Sequence, residues 1–152
     1  KLKTEIPIIL KISPDIHESY IEKISETAVN QSIDALILTN TTNINRENLL
    51  DIKKNESGGL SGKPLENISN NLIKKFYNNL KDKVVIIGVG GIDSGKSVYN
   101  KFLAGATLVQ LYTGMIFKGP EIVKNIKKDL IRYLKNDGVK NYQEIIGQSK
   151  LT

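Results

Sequence analysis

The sequence predicts an α/β fold: the carboxyl-terminal half, four βα units, of a (β/α)8 TIM-type barrel. Three observations carry this. Four short runs of branched apolar residues alternate with segments whose apolar residues recur every three or four positions. That is the pattern of buried parallel strands joined by amphipathic crossover helices. Each polar or glycine-rich motif follows the end of a strand run, where parallel α/β folds bind ligands. The last two runs end in Gly88-Val89-Gly90-Gly91 and Tyr112-Thr113-Gly114, neighbouring turns of the kind that grip a phosphate at the mouth of a barrel. A doubly wound sheet accepts the alternation equally well; the paired last turns select the barrel.

The elements follow in order. Ile6 to Ile12 is short, apolar and β-branched, and Pro14-Asp15 ends it. A helix follows with Tyr20, Ile21, Ile24 and Ala28 on one face. Ala35-Leu36-Ile37-Leu38-Thr39 is a second buried strand. After a polar loop, Pro64 opens a helix whose stripe is Leu65, Ile68, Leu72 and Phe76. Val84 to Ile87 is the third strand. Its helix is capped by Ser94 and carries Val98 and Phe102. Thr107 to Leu111 is the fourth. Pro120 opens the longest helix, striped by Val123, Ile126, Leu130 and Leu134 and stopped at Gly138. Residues 1–152 read as one half-barrel unit. Four strands cannot close such a barrel, so another polypeptide segment is expected to complete it.

Composition narrows the chemistry. The chain has 152 residues, 39% hydrophobic and 25% charged, enough for a real core. It has no cysteine and a single histidine, His17, which removes disulfides, thiolate chemistry and histidine-based zinc sites. No apolar run approaches the roughly 18–20 residues of a membrane span. The net charge is +6, but the lysines are scattered and the aromatics few. That favours solvated helix faces and an anionic small ligand over a nucleic-acid surface. His17 reads as a surface residue. Glu5, Asp15, Glu18 and Glu66 form no paired constellation, and no Ser-His-Asp set can be assembled.

The candidate binding residues sit at strand ends. The dinucleotide fingerprint fails, because Asp93 stands where its third glycine belongs and no acid follows in Gly105–Gly114. The glycines instead allow backbone N–H groups to approach a phosphate held jointly with Thr113. Lys11 interrupts an apolar strand, and either supplies positive charge to a ligand or snorkels from an edge. Asn40, within Thr39-Asn40-Thr41-Thr42, offers a donor and an acceptor to a planar amide or imide, or caps a turn. Ser57 to Leu65 is glycine-rich but lacks P-loop order; its backbone suits close approach to a flat ring.

Five motifs in this order resemble the dihydroorotate dehydrogenases: LKISPD (Leu10–Asp15), TNTT (Thr39–Thr42), SGGLSGKPL (Ser57–Leu65), IIGVGGIDSG (Ile86–Gly95) and GATLVQLYTG (Gly105–Gly114). The resemblance covers essentially the whole chain. TNTT and the tail YQEIIG (Tyr142–Gly147) look like the membrane-associated, quinone-using class. The family is similar throughout in being FMN-containing barrel oxidoreductases that oxidise dihydroorotate to orotate in pyrimidine biosynthesis. The resemblance implies that Lys11, Thr39 and Gly62 line the flavin. It implies that Asn40 and Thr41 bind the orotate ring, and that Gly91, Tyr112 and Thr113 hold the FMN phosphate. It also implies a serine base, further substrate asparagines and the quinone tunnel in an amino-terminal half outside these residues, so no catalytic base is expected here. Association with a bacterial or mitochondrial inner membrane is a further implication. Ser13 departs from the family's usual alanine. Other readings of the same residues are another phosphate-binding barrel enzyme and a non-catalytic basic module.

Overall fold

The computed structural model describes residues 6–44, 46–47 and 49–148; Glu5 and the extreme ends of the 1–152 unit lie outside them. The elements are β1 (Ile9–Ile12), α1 (Tyr20–Asn30), β2 (Ala35–Leu38), α2 (Glu66–Leu80), β3 (Val85–Val89), α3 (Gly95–Ala104), β4 (Leu108–Gln110), α4 (Thr113–Lys118) and α5 (Ile122–Asn136). Short 3-10 turns precede α2, follow it, and span Tyr142–Ile145. The strands form one sheet in the order β1-β2-β3-β4, every pair parallel.

Register assigns the two faces. Ile12, Leu38 and Leu36 pair into rows with Ile86 and Gly88, and these four apolar side chains are 0–7% exposed, while Leu10 at the outer end of one row is 42% exposed. They pack on Ile21 and Ala28 of α1, Leu72, Ile73 and Phe76 of α2, and Val98 and Phe102 of α3. Full burial of each such side chain stabilises by about 1.5–3 kcal/mol. The intervening positions form the opposite, concave face, since successive strand residues alternate sides. One of its rows is Lys11, Ile37, Ile87 and Leu108. Among the described residues no helix covers this face: Ile9, Val85 and Leu108 are 47%, 39% and 51% exposed, while Ala35 and Ile87 at its centre are buried. One helical layer outside and an open apolar concavity inside is half of a barrel.

Several boundaries differ from the sequence expectation: β2 ends one residue early, β3 starts one residue late and β4 is one residue shorter at each end, and four larger differences have local reasons. β1 begins at Ile9, not Ile6, because its first ladder partner is Ala35. Ahead of it Asp34 holds Ile8, its carboxylate accepting from Ile8 N at 2.7 Å. β3 runs on into the glycine motif, because Gly88 pairs with both Leu38 and Val109. Pro64 lies in the 3-10 turn, and α2 proper begins at Glu66. Pro120 stands two residues ahead of α5, which shares its length of 15 residues with α2 and is not the longest helix. The caps agree with the sequence reading. Ser94 and Ser97 form a reciprocal capping box on α3. Gly138, at φ +70°, follows the C-cap of α5.

Candidate functional site

The carboxyl ends of all four strands open into one cavity of about 280 Å³. Its wall takes Lys11 from β1, Thr39-Asn40-Thr41 after β2, Gly62 from the glycine-rich loop, Gly91 after β3, and Tyr112-Thr113 after β4. All eight candidate residues therefore line the same space.

Backbone ladders fix the first wall. Thr39 N donates to Val89 O at 3.1 Å and Asn40 N to Ile12 O at 2.9 Å, so the β2 end is held from both sides while Asn40 itself stays exposed. The Leu38–Thr39 peptide is cis. Asp15, unpartnered in the sequence reading, steadies the following residues. Its carboxylate accepts from Thr42 Oγ1 at 2.5 Å and from Asn43 N at 2.7 Å. Thr42 also makes an antiparallel bridge with Leu60, which brings the glycine-rich loop over the mouth. A Cβ on Gly59 would fall 1.9 Å from Thr41 Oγ1, so only glycine allows that approach.

The two glycine turns interlock. Gly91 sits at φ +72°, and a Cβ there would fall 2.3 Å from Glu66 Cβ. A Cβ on Gly114 would fall 2.3 Å from Ile92 O. Thr113 Oγ1 donates to Ser61 Oγ at 2.9 Å. Three loops from three different units thus meet around Thr113, and the hydroxyl, the glycine backbone and nearby cations suit a phosphate monoester.

Charges line the rim. Lys63 Nζ is 2.5 Å from Glu66 and 3.6 Å from Asp93. Lys118 Nζ donates to Asp93 O at 2.9 Å. The hydrogen bond to Glu66 raises the Lys63 pKa above its ordinary value, against an opposing effect of burial. The sequence reading missed Ser61, Lys63, Asp93 and Lys118. Ser61, Lys63 and Asp93 stood inside quoted motifs and Lys118 did not; Asp93 meets Lys63 and Lys118 only through tertiary contacts. It also missed Lys101, a lysine on α3 with 0% exposure. Its signal was available: Lys101 falls on the same helical face as Val98 and Phe102. His17 is exposed and pairs with Ser19 Oγ at 2.7 Å, as a surface residue should. Among the described residues no group of three or more His, Cys, Asp or Glu could hold a metal ion.

Fold and site together define a β/α-barrel protein whose ligand cavity lies at the carboxyl ends of its strands. The family described as "Dihydroorotate dehydrogenase" matches residues 1–134. The chain belongs to that family. It is 41% identical over 143 residues to "Dihydroorotate dehydrogenase (quinone), mitochondrial" of Arabidopsis thaliana, covering 93% of this chain and 31% of that protein. It is 48% identical over 122 residues to "Dihydroorotate dehydrogenase (quinone)" of Shewanella loihica, covering 80% of this chain and 36% of that one. The crystal structure of DHODH in complex with ferulenol from Eimeria tenella superposes with a TM-score of 0.91 at 35% identity, covering 99% of this chain and 40% of that chain. The chain spans about a third of the length of the curated relatives it matches.

Proposed function

We propose that residues 1–152 form the carboxyl-terminal half-barrel of an FMN-dependent, quinone-linked dihydroorotate dehydrogenase. The observation that supports this best is the convergence of eight residues, drawn from all four strand ends, on one cavity. The cavity suits the cofactor chemically. Glycines at positive φ expose backbone where a side chain would collide, and Lys11 rises from the floor of the concave face.

Bound there, FMN would supply the acceptor for the hydride leaving dihydroorotate. Thr113, with the backbone of Gly91 and Tyr112, would hold the phosphate. Thr39 and Gly62 would flank the ring system, and Lys11 would set a cation where negative charge accumulates. Asn40 and Thr41 would hydrogen-bond the orotate ring and orient it. None of these eight is a suitable base, so proton removal belongs to the other half of the barrel. That half would also carry the quinone and the membrane contact. Among the described residues no helix is long and apolar enough to cross a membrane.

The test uses the complete protein. Purified, it should show flavin absorbance and reduce that flavin with dihydroorotate. Asn40→Ala should raise the orotate dissociation constant about tenfold or more, as expected for a lost ligand hydrogen bond left unpaired, with flavin content intact. Lys11→Ala should slow flavin reduction. A colourless protein that binds a sugar phosphate tightly would instead make this another phosphate-binding barrel enzyme.

A further inference from the structure

Behind the glycine turn, on the side away from the cavity, lies a charged group that the proposed reaction does not use. Lys101 of α3 is 0% exposed, and so is Ser69 of α2. Lys101 Nζ donates to Ser69 Oγ at 3.0 Å and to Asn70 Oδ1 at 2.9 Å. Ser69 Oγ donates in turn to Val89 O at 2.5 Å and lies 3.3 Å from Leu38 O. Those carbonyls end β3 and β2, and Val89 O also accepts from Thr39 N. The pair packs directly under the turn. A Cβ on Gly88 would come within 3.0 Å of Lys101 Cδ, and one on Gly90 within 3.2 Å of Ser69 Cβ.

Folding alone does not call for an ammonium here. Among the described residues Lys101 has no carboxylate within ion-pair distance. A buried cation whose opposite charge, Glu66, lies beyond ion-pair distance and is already paired with Lys63 carries a large desolvation penalty, and an unbranched apolar side chain would fill the same space. An anion arriving on the far side of the turn would add a second counter-charge.

We propose that Lys101, acting through Ser69, is a positioning residue that fixes the turn after β3 and sets a buried positive charge behind it, tuning the cavity for a dianionic phosphate monoester. The proposal rests on the reading of this cavity as the FMN site.

Titration supports the geometry. Burial holds Lys101 down to about 7, while the negative charge of Glu66 pulls the other way. Glu66, in the first turn of α2, is the charged group that bears on Lys101. Ser69 and Asn70 on α2, Gly88 on β3 and Ala106 ahead of β4 are uncharged. Above pH 7 burial therefore strips charge from Lys101 in the unliganded protein, and an incoming phosphate draws a proton back. A free phosphate monoester is already dianionic at pH 8, its second pKa being about 6, so it releases none. Lys63, held above its ordinary value, stays charged throughout.

The experiment takes the full-length protein stripped of flavin and titrates it with FMN at pH 8. Calorimetry in two buffers of different ionisation enthalpy reads proton uptake; riboflavin, which lacks the phosphate, is the control. Wild type should take up a substantial fraction of a proton per FMN bound. K101M should take up none and bind FMN at least tenfold more weakly, with riboflavin affinity unchanged. S69A should weaken FMN several-fold and leave riboflavin alone. Wild-type FMN affinity and proton uptake in K101M would overturn the proposal. So would equal losses for FMN and riboflavin, which would mean that the cavity had simply collapsed. If K101M does not fold, S69A and the wild-type uptake decide it: absent uptake, or unchanged FMN affinity in S69A, refutes the role. Wild type that binds no FMN at all overturns the FMN reading itself, a different result from a variant that matches wild type.

Discussion

Gly91 adopts φ +72° against the first turn of α2, where a Cβ would lie 2.3 Å from Glu66 Cβ and 2.6 Å from its Cα. The second of those atoms is backbone and cannot swing away. Gly91→Ala therefore combines a disfavoured dihedral with a collision, and should destabilise the fold by about 1–3 kcal/mol; the urea midpoint measures it. Lys101 gives a second residue-scale prediction, and its sign follows from linkage. Its folded value of about 7 lies below the ordinary 10.5. Between those two values the unfolded chain binds more protons, so stability rises with pH across that window. The burden is complete below pH 7 and gone above 10.5. K101M should accordingly be the more stable protein at pH 7, by on the order of a few kcal/mol, with the gap closing as the pH climbs. Chemical denaturation of both proteins at pH 7, 8.5 and 10 reads this directly. An unchanging gap would mean that Lys101 is not held neutral by its surroundings. Stability would gain from losing the charge that the site is proposed to need, which is a reason for it to be kept.

At the scale of elements, the capping box on α3 is a local device with a local cost. Ser94 Oγ accepts from Ser97 N at 3.3 Å, and Ser97 Oγ accepts from Ser94 N at 3.1 Å. Ser94→Ala should cost about 1 kcal/mol, visible as a lower thermal midpoint with the cavity otherwise intact. This cap was readable in advance because it depends on neighbours in the chain. The strands were readable too, as branched apolar runs, but their limits were not. β1 starts where Ala35 becomes available and β3 ends where Val109 and Gln110 stop pairing, and those partners are distant in sequence. Helix α4 was missed because six residues beginning Thr113-Gly114 are too few to display a period. The glycine turns with Thr113, the strand lysine Lys11 and the amide Asn40 were legible from the rule that parallel strands present their carboxyl ends together; Thr39, Thr41, Gly62 and Tyr112 came from the family resemblance alone. The rim of Lys63, Asp93 and Lys118 was not legible, since its contacts span 25 to 30 residues of chain that only folding brings together.

For the molecule as a whole, the concave face sets the expected behaviour. Among the described residues β1 pairs only with β2 and β4 only with β3, so both outer strands leave unpaired backbone at an edge. Ile9, Val85 and Leu108 are exposed across the concavity, and Tyr112, Ile116 and Phe117, at 77%, 69% and 83% exposed, extend the apolar surface around the mouth. Burying such a surface is favourable at about 25 cal/mol per Å², and the sheet edges supply hydrogen-bonding groups to whatever covers it. In the proposed enzyme the other half-barrel does so. Expressed by itself, this chain should find the next available cover, a second copy of itself. Its net charge of +6 opposes that at low ionic strength. At 0.15 M salt the screening length falls to about 8 Å, and the repulsion should weaken while the apolar attraction persists. The isolated 152-residue chain is therefore expected to bind a hydrophobic dye and to gain mass with both concentration and salt in sedimentation equilibrium. Co-expression with the complementary half should abolish both behaviours. A dye-silent monomer, unchanged from low to high salt, would show that the concave face needs no cover and would remove the physical reason for assigning it to the inside of a closed barrel.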